Sequence, residues 1–173
     1  MVRAAFMITY RLVPSRRHAY QLLHESDLIA EIAIRNGERA NVITPDRRYE
    51  LEVIEGIRKR VVQHGERNRT IARSSSLGRY AVDLDHATLY WHSLPGPPGT
   101  NCWMTGDGLI VVRYSPAADR SFILQIDDDG LLGAGRESLL ILGCYLTVRP
   151  LVEAGILSQM VWPASLAFEQ RSR

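Results

Sequence analysis

Between Gly56 and Arg73 the chain carries Arg58, Lys59, Arg60, Arg67, Arg69 and Arg73 against one carboxylate, Glu66. Cations at this density can hold phosphate or carboxylate groups. Near an anionic membrane each contributes about 1 kcal/mol. Arginine adds a planar fork that grips such oxygens two at a time. The competing reading is a solvated hairpin whose arginines alternate between faces. If Val61 points inward, Arg58, Arg60 and Val62 point outward on the same strand, because successive side chains alternate. Part of the cluster can therefore share one face. These six residues form the candidate ligand-binding set, with an anionic lipid head group or another anionic ligand as the expected partner.

Other chemistry-bearing residues are weaker. Asp83, Asp85, His86 and His92 offer oxygen and nitrogen donors, but a metal needs three or four groups at fixed distances, and this spacing matches no such motif. The run Asp127-Asp128-Asp129-Gly130 lacks the glutamate that closes a calcium loop, so it reads as a polar turn. Ser74, Ser75 and Ser76 sit in no Gly-x-Ser-x-Gly elbow. Cys102 could meet His86 or His92 as a thiol–imidazole pair, although nothing in the sequence fixes that geometry. Gly106-Asp107-Gly108 and Gly133-Ala134-Gly135 read as turns, the second lacking the spacing of a dinucleotide fingerprint. Trp91, Trp103 and Trp162 suit a stacking platform or, more simply, the core. No catalytic residue, metal or cofactor is expected.

Composition narrows the setting. The 173 residues suffice for one domain with a sizeable core. A net charge of +2 is too small to argue for nucleic acid. Lys59 is the only lysine among 21 basic residues, a bias that also arises as general composition. Two cysteines without a CxxC fit a reducing cytoplasm. The N-terminal stretch, interrupted by Thr9-Tyr10-Arg11, does not read as a signal peptide.

The elements that must position these residues are mostly strands. Phe6, Ile8, Tyr10 and Leu12 alternate with smaller or polar neighbours, until Pro14-Ser15-Arg16-Arg17 is expected to break the strand. Leu28, Ala30, Ile32 and Ile34 fall on one face, and Asn36-Gly37 predicts a type I′ hairpin. Similar short segments continue to Ile126, for roughly ten to twelve strands joined by turns, the pattern of an antiparallel sandwich or barrel. A strand, a polar turn and a tyrosine-led strand occur around both Ile32 to Tyr49 and Thr70 to Tyr80, suggesting internal duplication.

Only then comes residues 137–149, with Leu139-Leu140-Ile141-Leu142-Gly143-Cys144-Tyr145-Leu146-Thr147-Val148 apolar on every side. A surface helix would show a polar face. A bilayer span needs roughly 20 apolar residues. This run is shorter, and Pro150 is expected to end it. A helix that needs cover all round and a sheet that needs one face buried are both satisfied when the sheet closes around the helix. The expected fold is mainly β: a closed antiparallel barrel of about twelve short strands around a central helix at about 137–149. Residues 1–150 would form it. Residues 151–173 would be an extension, within the same domain or partly disordered.

That order of elements resembles the tubby C-terminal-like superfamily, whose members include tubby-like proteins, phospholipid scramblases and LURP-one-related proteins. The resemblance spans about residues 5–150. It rests on Tyr20-Gln21-Leu22, the Ile32 to Ile34 strand before Asn36-Gly37, the strands led by Tyr49 and Tyr80, and the apolar helix at 139–148. It implies a twelve-stranded barrel around a helix. It implies no single activity: some members bind phosphoinositides through basic surfaces and scramblases are tied to lipid movement. No tubby-type phosphoinositide motif is matched residue by residue, so no binding residue is carried over.

The expected function is a non-enzymatic ligand-binding or interaction module for anionic lipid head groups, cytoplasmic and peripheral to the membrane. Two alternatives remain at this point. One is an enzyme with a pocket at a barrel mouth using His86, His92 or Asp83. The other is a homo-oligomer whose interface uses residues 151–162.

Overall fold

The protein is described by a computed structural model covering residues 7–155, apart from residues 66 and 128. Twelve strands follow one another: β1 (Ile8–Arg16), β2 (Ala19–His24), β3 (Asp27–Ile34), β4 (Arg39–Ile43), β5 (Arg48–Ile54), β6 (Arg60–His64), β7 (Arg69–Ser74), β8 (Tyr80–Asp83), β9 (Thr88–Ser93), β10 (Asn101–Thr105), β11 (Ile110–Pro116) and β12 (Phe122–Ile126). Each pairs antiparallel with its sequence neighbours, and β12 returns to β1 with Ile126 opposite Ile8, which closes the barrel. Closure leaves no edge strand. Alternation selects the inner face: Ala30, Ile32 and Ile34 on β3, Tyr49, Leu51 and Val53 on β5, and Phe122, Leu124 and Ile126 on β12 are all buried.

The helix α1 (Arg136–Glu153) fills this interior, and every residue from Leu139 to Val148 is buried. Groups on the strands and on their connecting loops hold it from different sides. The Tyr114 hydroxyl on β11 faces the Leu139 and Leu140 carbonyls at 3.5 and 3.4 Å. Across the barrel, Tyr145 donates to the Glu38 carbonyl at 2.6 Å. Gly143 stands against Tyr114 of β11 and Trp103 of β10. A Cβ there would overlap the Tyr114 phenol and come within 2.8 Å of the Trp103 indole nitrogen. No described helix is long and apolar enough to cross a membrane.

Several local expectations are corrected. Pro150 does not end the helix, which continues to Glu153. Proline removes one helix donor, but Leu151 beyond it is buried, in reach of Gly99, and Ala154 donates to the Pro150 carbonyl at 3.0 Å. Burying a leucine is worth about 1.5–3 kcal/mol, comparable to the proline's cost. Residues 156–173 lie outside the described residues. Pro14 does not end β1. The strand runs on to Arg16 through a register shift between Pro14 and Arg16, and a bulge is where a sheet tolerates proline.

Leu28 leaves the face it was expected to share and is exposed, because the β2–β3 register shifts between Leu22 and Leu23. One extra residue reverses every side chain beyond it. At Asn36-Gly37 only Gly37 has positive φ, +71°, so the connection is a longer loop and not a type I′ turn, which needs positive φ twice. The suggested duplication fails at the level of strands. All of β4 separates Ile32 from Tyr49, whereas β7 and β8 are directly joined.

Because neighbouring strands alternate in direction, the hairpins open at two mouths. Loops 17–18, 35–38, 55–59, 75–79, 94–100 and 117–121 surround the C-terminal end of α1. Arg149 marks this mouth: it donates to the Gly37 carbonyl and pairs with Glu153 at 3.1 Å and Glu55 at 3.5 Å. Loops 25–26, 44–47, 84–87 and 106–109, with residues 65, 67 and 68, surround the helix start, where Arg47 reaches Ser138 at 3.3 Å.

Candidate functional site

The basic segment is split between the two mouths. Arg58 and Lys59 lie in loop 55–59 at the helix C-terminal mouth, so Arg58 does not stand on the strand with Arg60. Arg60 opens β6 and is paired in register with Arg73 on β7. Lys59 lies 3.9 Å from Glu55. Arg67 and Arg69 are at the far end of the same hairpin, and Arg69 reaches Gln63 at 3.4 Å. There Arg69 lines a second cleft with Arg47, Ser138 and the start of α1. Val62 points outward beside Glu52, as expected, yet is buried among its neighbours.

Of the six, Arg58 and Arg73 line a groove of about 560 Å³ on the outer wall. The register Arg73–Ala81–Tyr90–Met104 runs across β7, β8, β9 and β10, and all four residues line it. Ala81 leaves the floor open between larger neighbours. At the mouth end stand Arg58, Arg79 and the turn Ser74-Ser75-Ser76. Gly78, at φ +73°, allows this turn, and Ser75 accepts from the backbone N–H groups of Leu77 and Arg79, each at 3.3 Å. Arg73 is held by Asp83 at 2.5 Å, and Asp83 also accepts from Thr88 at 2.9 Å. No described carboxylate pairs with Arg58 or Arg79. The groove can thus present free guanidinium donors, one tethered one and serine hydroxyls to a phosphate or carboxylate.

Arg79 lies outside residues 56–73, so charge density along the chain does not mark it. The signal was available in the hairpin itself. Arg79 returns its carbonyl to the Ser75 N–H at 2.7 Å, so antiparallel pairing brings it back beside the cluster. Arg67 and Arg69 are close to the others in sequence, but a strand of several residues carries its two ends apart.

His92 enters the groove. Burial first, and then the nearby Arg79 charge, lower its pKa from the ordinary 6.5. The unfolded chain therefore takes up the proton first, so stability falls as pH drops below about 6.5 through the lower folded value. An anion bound between His92 and Arg79 would reverse part of that shift. Inorganic phosphate is expected to raise the His92 pKa and to bind more tightly as pH falls through its titration. The ring-proton NMR shifts from pH 8 to pH 5, with and without phosphate, check this; an unchanged His92 curve would place the anion elsewhere.

The other candidates do not assemble. Asp83 is engaged by Arg73, His86 sits in loop 84–87, and His92 is on the outer wall, so the trio does not converge at a mouth. Cys102 is paired in register with His92. However, burial raises the Cys102 pKa while that of His92 falls, opposite to a thiolate–imidazolium pair. Among the described residues no group of three His, Cys, Asp or Glu side chains could hold a metal. Trp103 is fully buried and packs on Trp91, with ring centroids 4.9 Å apart; Trp162 lies outside the described residues. A stacking platform built on Trp103 is therefore excluded.

The mouths differ in charge. Loops at the helix C-terminal mouth carry Arg17, Arg35, Arg58, Lys59, Arg79 and Arg120 against Glu38, Glu55 and Asp119. Described loops at the other mouth, with Asp127 after β12, carry Glu25, Asp46, Asp85, Asp107 and Asp127 against Arg47 and Arg67. Comparison of the chain with models of known protein families and with curated proteins finds no match.

Proposed function

We propose that the protein is a non-enzymatic binding module of the tubby C-terminal-like kind, which receives a phosphate-bearing ligand, an anionic lipid head group, at the arginine end of this groove. One observation carries the reading: Arg58, Arg73 and Arg79 converge with three serines, and no described carboxylate pairs with Arg58 or Arg79. Twelve strands in meander order and an apolar helix placed last support the family reading. The cation-rich mouth beside the groove supports an anionic membrane surface as the ligand's setting. Buried, free Cys102 and Cys144 fit a cytoplasmic protein that is peripheral to that surface. Leu151, within the segment considered for an oligomer interface, is buried inside the barrel and unavailable for one.

Co-sedimentation tests this. The protein should pellet with vesicles of phosphatidylcholine plus phosphatidylserine and not with phosphatidylcholine alone, and added salt should weaken the binding. Arg58→Gln with Arg79→Gln removes two cations worth about 1 kcal/mol each, so the affinity should drop about 30-fold. Equal binding to both vesicles at low salt would end the lipid reading.

A further inference from the structure

Two aliphatic side chains project from the helix C-terminal mouth. Ile57, in loop 55–59, is 107% exposed, and Leu77, in loop 75–79, is 76% exposed, the highest values among the described large apolar residues. The two loops are neighbours, tied where Ser74 donates its N–H to the Lys59 carbonyl at 2.7 Å. Around the tips stand Arg58, Lys59 and Arg79. Glu55, the carboxylate of loop 55–59, already faces Lys59 and Arg149. Water gains nothing from an exposed isoleucine at a hairpin tip, and the core has no use for it there.

We propose that the Ile57 and Leu77 tips insert into an anionic bilayer, so that the barrel docks mouth-down on the membrane. The inference rests on the anionic-lipid reading above and adds the orientation and the inserting residues. Aliphatic tips ringed by cations match an anionic interface, where apolar groups sit just below the phosphates and cations level with them. A second copy meeting the same mouth would bring like charges together, so charge complementarity favours lipid.

The test attaches an environment-sensitive fluorophore through Ile57→Cys, Leu77→Cys or, as a control at the opposite mouth, Asp85→Cys. The native thiols are buried and do not compete. With phosphatidylserine-containing vesicles, the probes at 57 and 77 should shift to the blue and be quenched by spin-labelled acyl chains, while the probe at 85 should not. Ile57→Ser should weaken vesicle binding about tenfold, in keeping with one lost aliphatic insertion. It should leave binding of soluble glycerophosphoserine unchanged. Vesicle binding with silent probes at 57 and 77 would overturn the insertion and leave the groove reading standing. Loss of both vesicle and glycerophosphoserine binding in the wild-type chain would overturn both. A dimer in light scattering that Ile57→Ser dissociates, without a vesicle-induced shift, would assign the tips to a second copy and overturn the proposal.

Discussion

Gly143→Ala lowers stability by about 3 kcal/mol or more, the upper range for forcing volume into a packed interior. The added methyl would overlap the Tyr114 phenol and stand 2.8 Å from the Trp103 nitrogen. Neither neighbour can retreat. Both are fully buried, and Trp91 packs on each, with centroids at 4.9 Å to Trp103 and 5.2 Å to Tyr114. For a chain of this size the melting temperature should fall by roughly 6–12 °C. Tyr114→Phe removes only the hydroxyl, at a cost of about 1 kcal/mol for its hydrogen bond. In the Gly143→Ala background it removes the closest overlap as well, so the two changes together should cost less than their sum. Thermal melts of the four proteins give that coupling. Strict additivity would mean that the helix does not approach β11 as described.

Leu140→Asp should give no cooperatively folded, soluble protein. Leu140 is buried, with the helix enclosed by the barrel on all sides. An aspartate there has no partner and no route to water, and an isolated carboxylate in such surroundings costs several kcal/mol or more. A globular domain has only about 5–15 kcal/mol of stability to lose. A soluble Leu140→Asp variant with a sharp melting transition would show that the helix is not the axle of the barrel.

The fold was legible because its two signals are strong and mutually dependent. Short alternating segments asked for one buried face, and residues 139–148 asked for cover on all sides; one closed sheet satisfies both. What misled were single residues whose usual meaning depends on context. Pro14 sits at a bulge and Pro150 is followed by a buried leucine, so neither proline stopped its element. Leu28 changed face through one register shift, which local alternation does not reveal.

The groove was half legible. Arg58 and Arg73 could be read from charge density, but Arg69 belongs to the other mouth and Arg79 enters only through pairing of β7 with β8. Lateral neighbours such as Arg73, Ala81, Tyr90 and Met104 are spread over four strands. Their spacing in the chain depends on loop lengths, so no sequence period announces them.

The most direct test of the groove is amide-shift mapping by NMR as glycerophosphoserine is added. If Arg58, Arg73 and Arg79 hold the phosphate, the shifts concentrate in residues 57–60, 73–81 and around His92, and Arg58→Gln with Arg79→Gln moves their titration to about 30-fold higher ligand concentration. Shifts confined to the acidic mouth, or none at saturating ligand, would contradict binding at this groove.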